Sequence, residues 1–466
     1  MTIEMAAFDL IPILIYILLI LWFGFKARRK DSDTDEFLLG GRSLSLPAFV
    51  ATLVSTWYGG ILGVGEFVYL QGISVWFVFG LPYYFFALLF ALLLAPKIRS
   101  SESYSIPDMF YRTYDKPTGL LGSTFILFMT SPAPYILMVG LLLQQLFQLN
   151  FLTSIIIGTL ISIVYVYWGG FRSVVQTDII QFMLMFAGFI VLFIYLINGT
   201  VPLRELPGQL DAVHKSWNGG LNWQQLIVWF LIASWTFIDP GFHQRCSAAR
   251  TTKIARNGIL VSIAFWFVFD MLTLTTGLYA FVLLPDINPI LSYPNLGQHI
   301  LPAFFKGLFF TGLLATIMST VDSYTFLSAL TFGNDIVTKF NGINKGRDIK
   351  FWVRIGLVIT AVISIILIML IPSVVQMWYN LGSLFIPPML LPLLAVYFPA
   401  LRISGRMTLL AMVLSFLLAS ASFIWGHLNF VGGNPDYLFG VEPFFPGLLV
   451  SIVLYSYGIL SKFSNK

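Results

Sequence analysis

The chain has 466 residues, of which 58% are hydrophobic and only 10% charged, and its mean hydropathy is +0.86. A soluble domain carries about a quarter charged residues, so the composition excludes a soluble protein and indicates a polytopic membrane protein. The net charge of +5 then reflects topology and lipid contact rather than nucleic-acid binding. The single cysteine, Cys246, excludes an internal disulfide and a cysteine-rich metal site.

A hydrocarbon core takes roughly 20 apolar residues per helical span. On that basis the chain is predicted to be an all-α bundle of 13 spans. They lie near 8–25, 45–70, 74–96, 118–148, 151–168, 174–197, 222–240, 255–284, 300–335, 352–372, 376–398, 406–427 and 443–461. Long apolar runs exclude a β-barrel, whose strands alternate over about ten residues. Span 1 has acids before it (Glu4, Asp9) and "KARRK" after it. A signal peptide has the opposite charge order, so this is a retained span.

Span 2 carries "STWYGGILGVGE", with Gly59, Gly60, Gly63 and Gly65 in close succession, and span 11 carries "WYNLGSLFIPPMLLP". Both read as interrupted helices, which membranes tolerate only where freed backbone groups are buried in protein or face a watery cavity. Singly spaced glycines suit close packing. The Gly59–Gly60 pair suits either packing or an unwound segment whose carbonyls bind a cation. The longest loops, 198–221, 97–117 and 428–442, are too short to fold alone, so function must lie in the membrane, its vestibules or short loops. "NGT" at 198–200 is a formal sequon and carries little weight.

Alternating the loops between two sides places all but Arg204, Lys215 and Lys306 of the 26 lysines and arginines on one face. The rich face comprises Lys26, Arg28, Arg29, Lys30, Arg42, Lys97, Arg99, Arg112, Lys116, Arg172, Arg245, Arg250, Lys253, Arg256, Lys339, Lys345, Arg347, Lys350, Arg354, Arg402, Arg406, Lys462 and Lys466. The positive-inside rule makes that face cytoplasmic, with the N-terminus outside and the C-terminus inside.

Span 9 contains "LLATIMSTVDSYTFLSAL". Thr316, Ser319, Thr320 and Ser323 fall at i, i+3, i+4 and i+7 and share one helix face, with Asp322 at its edge. Hydroxyls can instead bond back to the i−4 carbonyl, but that does not account for Asp322, which is costly at depth and needs a partner. Such a stripe suits a hard, oxygen-preferring cation such as Na⁺. Asp178, Asp239, Asp270 and Glu66 are further acids within spans. Asp178 suits a helix N-terminus, Asp239 before Pro240 suits a turn or cap, and Glu66 suits the outer surface. Asp270 has no such structural role and is a pathway candidate. No comparable basic residues occur mid-span, so the excess negative charge suggests a cationic passenger: Na⁺, H⁺ or an amine. Nucleotide-binding and zinc-protease motifs are missing, and no nucleophile with a base is apparent, so an enzyme is not expected.

These residues carry a resemblance. "FLLGGRSL" before span 2, "YWGGFRSVVQTDIIQ" entering span 6, "ATIMSTVDS" and "FGNDIV" in span 9 and "WYNLGSLFIPP" in span 11 are similar to the sodium/solute symporter family. That family includes bacterial proline, pantothenate, sialic acid and sugar transporters, and the resemblance covers roughly residues 35–400. It implies a leucine-transporter-type core of two inverted five-helix repeats in 45–400, within one transport domain, 1–466. Residues 1–44 would form a peripheral first helix and cytoplasmic loop, and 401–466 two peripheral helices. It also implies a sodium site from the carbonyls of Ser55, Tyr58 and Thr316 and the hydroxyls of Ser319 and Thr320. Ser55 and Thr316 stand where the family commonly has alanine, and Tyr58 is bulkier than the usual aliphatic residue.

By the same resemblance, Asp178, Asp322 and Ser323 would form a second ion or proton site, with Asp322 replacing the family's usual hydroxyl. A solute site would involve Trp57, Gly59, Gly60, Leu62, Tyr83 or Tyr84, Phe237, Trp378 and Tyr379. Polar sugar-binding residues are replaced by Ile61 and Leu62, which points to a small amphipathic solute such as an amino acid or amine. The expected function is sodium-coupled symport of a small organic solute into the cell across the plasma (inner) membrane, with no cofactor besides the coupling ion. Proton coupling on the same fold is the nearest alternative. A channel or a transporter-derived sensor is a more distant one.

Overall fold

The computed structural model describes residues 4–26, 34–199, 201–339, 348–431 and 434–464. Among them, twelve helices are long and apolar enough to cross a membrane. In the numbering above they are spans 1 (Ala7–Gly24), 2 (Leu46–Gln71), 3 (Trp76–Leu93), 4 (Lys116–Phe147), 6 (Gly169–Ile197) and 7 (Trp223–Ala248). Spans 8 (Thr252–Leu283), 9 (Phe305–Lys339), 10 (Ile349–Leu370), 11 (Val374–Tyr397), 12 (Gly405–Leu428) and 13 (Phe444–Lys462) complete them. Helices dominate because hydrocarbon offers backbone groups no partner outside the segment itself. A two-residue antiparallel pairing, Phe430–Val431 with Asn434–Pro435, is the only sheet among the described residues.

The expected span 5 is a shorter apolar stretch, Phe151–Ile161. It lies in the first of two helices within Phe151–Ile197, which meet at Gly170, where the backbone leaves the helical conformation (φ 58°, ψ −151°). Spans 5 and 6 are therefore separate helices, as expected, joined by a sharp turn at Gly170 in place of a longer loop. Only glycine adopts this backbone easily, and a side chain here would strike the carbonyl and ring of Phe37.

Two spans are broken near the bundle centre. In span 2, helix Leu46–Trp57 gives way to a 3₁₀ turn at Tyr58–Gly60, and a new helix runs Ile61–Gln71. In span 7, helix Trp223–Ile232 is followed by a short turn of helix at Trp235–Ile238 and a separate helix at Pro240–Ala248. The second break thus falls in span 7 and not in span 11. Span 11 stays one helix, Val374–Tyr397, with Pro387, Pro388 and Pro392 inside it. Prolines are tolerated in membrane helices when neighbouring helices enclose the freed groups, and span 11 is packed by spans 4, 12 and 13. Span 7 breaks because Asp239 leaves the helical conformation (φ −72°, ψ 114°) and caps the next helix through the amides of Gly241 and Phe242. The two breaks occupy the same place, the first helix, in each of the five-span halves expected from the sequence.

Span 9 is buried over its whole apolar window and packs against spans 1, 2, 4, 6 and 10. Apolar side chains facing outward, among them Leu14, Trp22, Met369 and Leu460, mark the lipid side of the surrounding helices. The basic loops meet on one side. Arg42 pairs with Asp35 at 3.1 Å and donates to the Glu102 carbonyl at 3.0 Å, Arg172 pairs with Glu36 at 2.7 Å, and Lys97 donates to the Tyr397 carbonyl at 3.0 Å. Arg28, Arg29, Lys30, Lys345, Arg347 and Lys466 lie outside the described residues, as does Thr200 of the sequon. Arg245 departs from the expected basic face. It is completely buried.

Lys306, expected on the opposite side, reaches Asp9 at 3.4 Å. Asp9 is fully buried and also accepts from the amides of Ala6 (2.8 Å) and Phe304 (2.9 Å), which ties span 1 to the start of span 9. Removing one partner of a buried pair costs about 3–5 kcal/mol because the other charge is stranded. Asp9→Ala should therefore lower the detergent-solubilised thermal midpoint clearly, whereas Glu205→Ala, in an exposed pair, should leave it within about 1 °C.

Candidate functional site

Three helices converge where span 2 breaks. Ser319 of span 9 has its Oγ 2.6 Å from Asp178 Oδ1 and 2.9 Å from Ser55 Oγ. Thr320 Oγ1 donates to the Thr56 carbonyl at 2.6 Å, so span 9 takes up a backbone acceptor at the end of the first half of span 2. Gly59 allows this approach, since a Cβ there would collide with the Thr320 side chain. Asp178 Oδ2 accepts from Thr52 Oγ1. All of these residues are buried. Two members of the expected sodium set point their side chains elsewhere. Thr316 Oγ1 bonds back to the Gly312 carbonyl at 2.6 Å, and the Tyr58 phenol lies 2.6 Å from Asp270 Oδ1. Only their main-chain groups can face the break, as the resemblance had them do.

Arg245 enters this cluster from span 7. Its Nη2 donates to Ser323 Oγ (2.7 Å), Thr56 Oγ1 (2.9 Å) and Thr52 Oγ1 (3.2 Å) and lies 3.6 Å from Asp178 Oδ2. Neither side chain of the Arg245–Asp178 pair is accessible to solvent. A basic group mid-bundle was not expected. "DPGFHQR" reads as a turn leaving the membrane, and on that reading the arginine belongs to a loop. Because Asp239 starts a new helix, Arg245 lies six residues into the bundle. The spacing from an Asp–Pro cap to a basic residue inside the following helix was the available signal.

Asp178 and Ser323 both meet Arg245. Asp322, at the edge of the same stripe, is also fully buried, on a helix that packs against span 1. Tyr16 accepts from Gln181, one turn beyond Asp178, at 3.1 Å.

A cavity opens beside the break. Of the expected solute residues, Trp57, Gly60, Tyr83, Tyr84 and Trp378 line it. Leu62 is packed in the core, Phe237 lies against Phe86 with ring centroids 5.5 Å apart, and Tyr379 lies against Trp229 at 5.4 Å. These three and Gly59 do not contribute to its wall. Phe79, Tyr135, Trp235, Phe242 and Tyr324 do, and no local pattern sets them apart from the other aromatics. Trp57 packs edge-on against Tyr83 (4.6 Å) and Phe242 (5.7 Å).

Three charged groups border this aromatic space. Asp270 accepts from Tyr58 and Tyr84, Asp239 accepts from Tyr324 at 2.8 Å, and Arg245 reaches its edge. Asp239 fulfils the cap role expected of it, but deep in the protein. Asp270 is a cavity group, as its position suggested. Such a chamber can hold a small solute by apolar contact and orient it by charge.

The profile of the sodium:solute symporter family matches residues 37–414. The sodium/proline symporter of Staphylococcus aureus is 23% identical over 98% of this chain and 93% of its own length. The high-affinity choline transporter 1 of Drosophila melanogaster is 23% identical over 79% of this chain and 63% of its own. Among solved structures, a Na⁺-coupled sialic acid symporter in a substrate-bound outward-open state superimposes with a TM-score of 0.81 at 16% identity, covering 98% of both chains. That likeness gives the chain a leucine-transporter-type fold. The family match extends over most of the sequence, and with it the chain is identified as a multi-pass secondary transporter, not an enzyme, belonging to the sodium:solute symporter family.

Proposed function

We propose that the protein imports a small amphipathic organic solute together with sodium by alternating access. The observation that carries this reading is the meeting of Ser55, Ser319, Thr320 and Asp178 at the break of span 2. Hydroxyl and carboxylate oxygens beside an interrupted helix suit a hard cation. The coupling ion takes the carbonyls of Ser55, Tyr58 and Thr316 and the hydroxyls of Ser319 and Thr320. Sodium bound there joins spans 2 and 9 and favours one conformation over the other, which is how one ligand's gradient drives another's transport.

The solute occupies the aromatic cavity, with Trp57, Gly60, Tyr83, Tyr84 and Trp378 around it and Asp270 as its polar anchor. Relatives that carry proline or choline agree with a solute bearing a cationic nitrogen. Residues 45–400 form the moving ten-helix core, flanked by 1–44 and 401–466. The protein sits in the plasma membrane with its N-terminus outside, an orientation supported by the basic loops that gather on one side.

Reconstituted protein should accumulate one member of a panel of amino acids and amines only with inward sodium, and a pH gradient alone should not replace it. Ser319→Ala combined with Thr320→Ala should raise the sodium concentration for half-maximal uptake by about tenfold or more, the loss expected for about 1.4 kcal/mol or more of ligand interaction. Sodium dependence unchanged in this double variant would sink the sodium assignment.

Asp270→Asn retains the shape of the chamber but removes its charge. It should raise the solute concentration for half-maximal uptake by about tenfold or more while changing sodium dependence much less. Equal losses in both would show that Asp270 serves the ion and not the solute.

A further inference from the structure

The surroundings of Arg245 Nη2 are unusual for a hydrogen-bond donor. This nitrogen carries two protons, yet four oxygens surround it: Ser323 Oγ at 2.7 Å, Thr56 Oγ1 at 2.9 Å, Thr52 Oγ1 at 3.2 Å and Asp178 Oδ2 at 3.6 Å. They come from spans 2, 6 and 9, while the arginine comes from span 7. An arginine held for its own sake pairs in a two-pronged fork with a carboxylate. Here one end of the guanidinium is crowded with oxygens. Nη1 reaches only the adjacent Gln244 at 3.4 Å, and Nε has no hydrogen-bond partner among the described residues. A single positive point surrounded by three hydroxyls and one carboxylate is the environment a hard cation selects.

Two of those four oxygens belong to Asp178 and Ser323, the residues that the sequence resemblance assigned to a second ion. We infer that the Arg245 guanidinium is a tethered cation that occupies the second cation position, so that the protein binds one sodium ion where its own oxygens would otherwise hold two. The argument is electrostatic. Asp178 is fully buried, and the Arg245 guanidinium lies 3.6 Å from its carboxylate, with neither side chain reached by solvent. A second sodium ion among the same oxygens would lie within a few ångströms of the guanidinium, in a place where water cannot screen the repulsion. Arginine remains charged under all physiological conditions, so it is a permanent occupant. It never leaves with the solute and therefore carries no gradient energy. This rests on the sodium-coupled reading above and concerns only the number of ions.

Binding of radiolabelled sodium to the purified full-length protein in lipid nanodiscs tests it without knowledge of the solute. The wild type should bind one sodium per chain. Arg245→Gln, which keeps the length of the side chain but removes its charge, should bind two, with a Hill coefficient rising from about 1 to at most about 2. Adding Asp178→Asn to that variant should return the count to one. Arg245→Lys, still a tethered cation, should bind one. A wild type that binds two overturns the inference whatever the variants do, as does a folded Arg245→Gln that binds one, or an Arg245→Lys that binds two. Should Arg245→Gln not fold, the wild-type and Arg245→Lys counts still decide against the inference at two. A wild type that binds no sodium overturns instead the symport reading on which the inference stands.

Discussion

A carboxylate buried in a membrane-spanning bundle must be compensated by groups brought from elsewhere in the chain, and Asp178 imposes that requirement here. Its partners are Thr52 on span 2, Arg245 on span 7 and Ser319 on span 9. Four helices are thereby fixed to one point, and each has to approach in a particular way. Span 9 can come close to span 2 because Gly59 carries no side chain. Arg245 can arrive because span 7 stops at Asp239 and restarts as a separate helix. The breaks in spans 2 and 7 are thus linked to the same buried charge.

The polar groups fall into two neighbouring environments. Around Asp178 they are oxygen-rich and tightly enclosed, with the Thr52 and Ser319 hydroxyls bonded to the carboxylate. Around Asp270 they border an aromatic chamber, where the Tyr58 and Tyr84 hydroxyls hold the carboxylate in place. Tyr58 belongs to both. Its main chain lies in the turn that interrupts span 2, and its phenol reaches the acid of the chamber. A shift of that turn as an ion binds would be felt directly at the solute side. This offers a short mechanical route between the two, with one residue at its centre.

The regular parts of this architecture were legible in the chain. Apolar run length gave the spans because backbone groups in lipid have no alternative to helix. The spacing of Thr316, Ser319, Thr320 and Ser323 placed them together because helical periodicity is local. Even there, the direction of each hydroxyl was not local information: Thr316 bonds to its own helix while Ser319 and Thr320 cross to other elements. The position of the second break was misread for the same reason. Three prolines in span 11 are stronger local breakers than anything in span 7, yet neighbours support span 11.

By itself, then, the sequence determined a helical membrane protein with a hydroxyl stripe on span 9 and an interruption in span 2, since these follow from composition and from contacts within a turn or two, and its motifs carried the resemblance to a transporter family. Only the tertiary structure decided where the charges balance. Arg245 and Asp178 are 67 residues apart in a sequence that puts one in an apparent turn and the other near a helix start. The Asp239–Pro240 cap is a local mark of the break in span 7, but their pairing depends on which helices pack around span 9, and no local pattern encodes that.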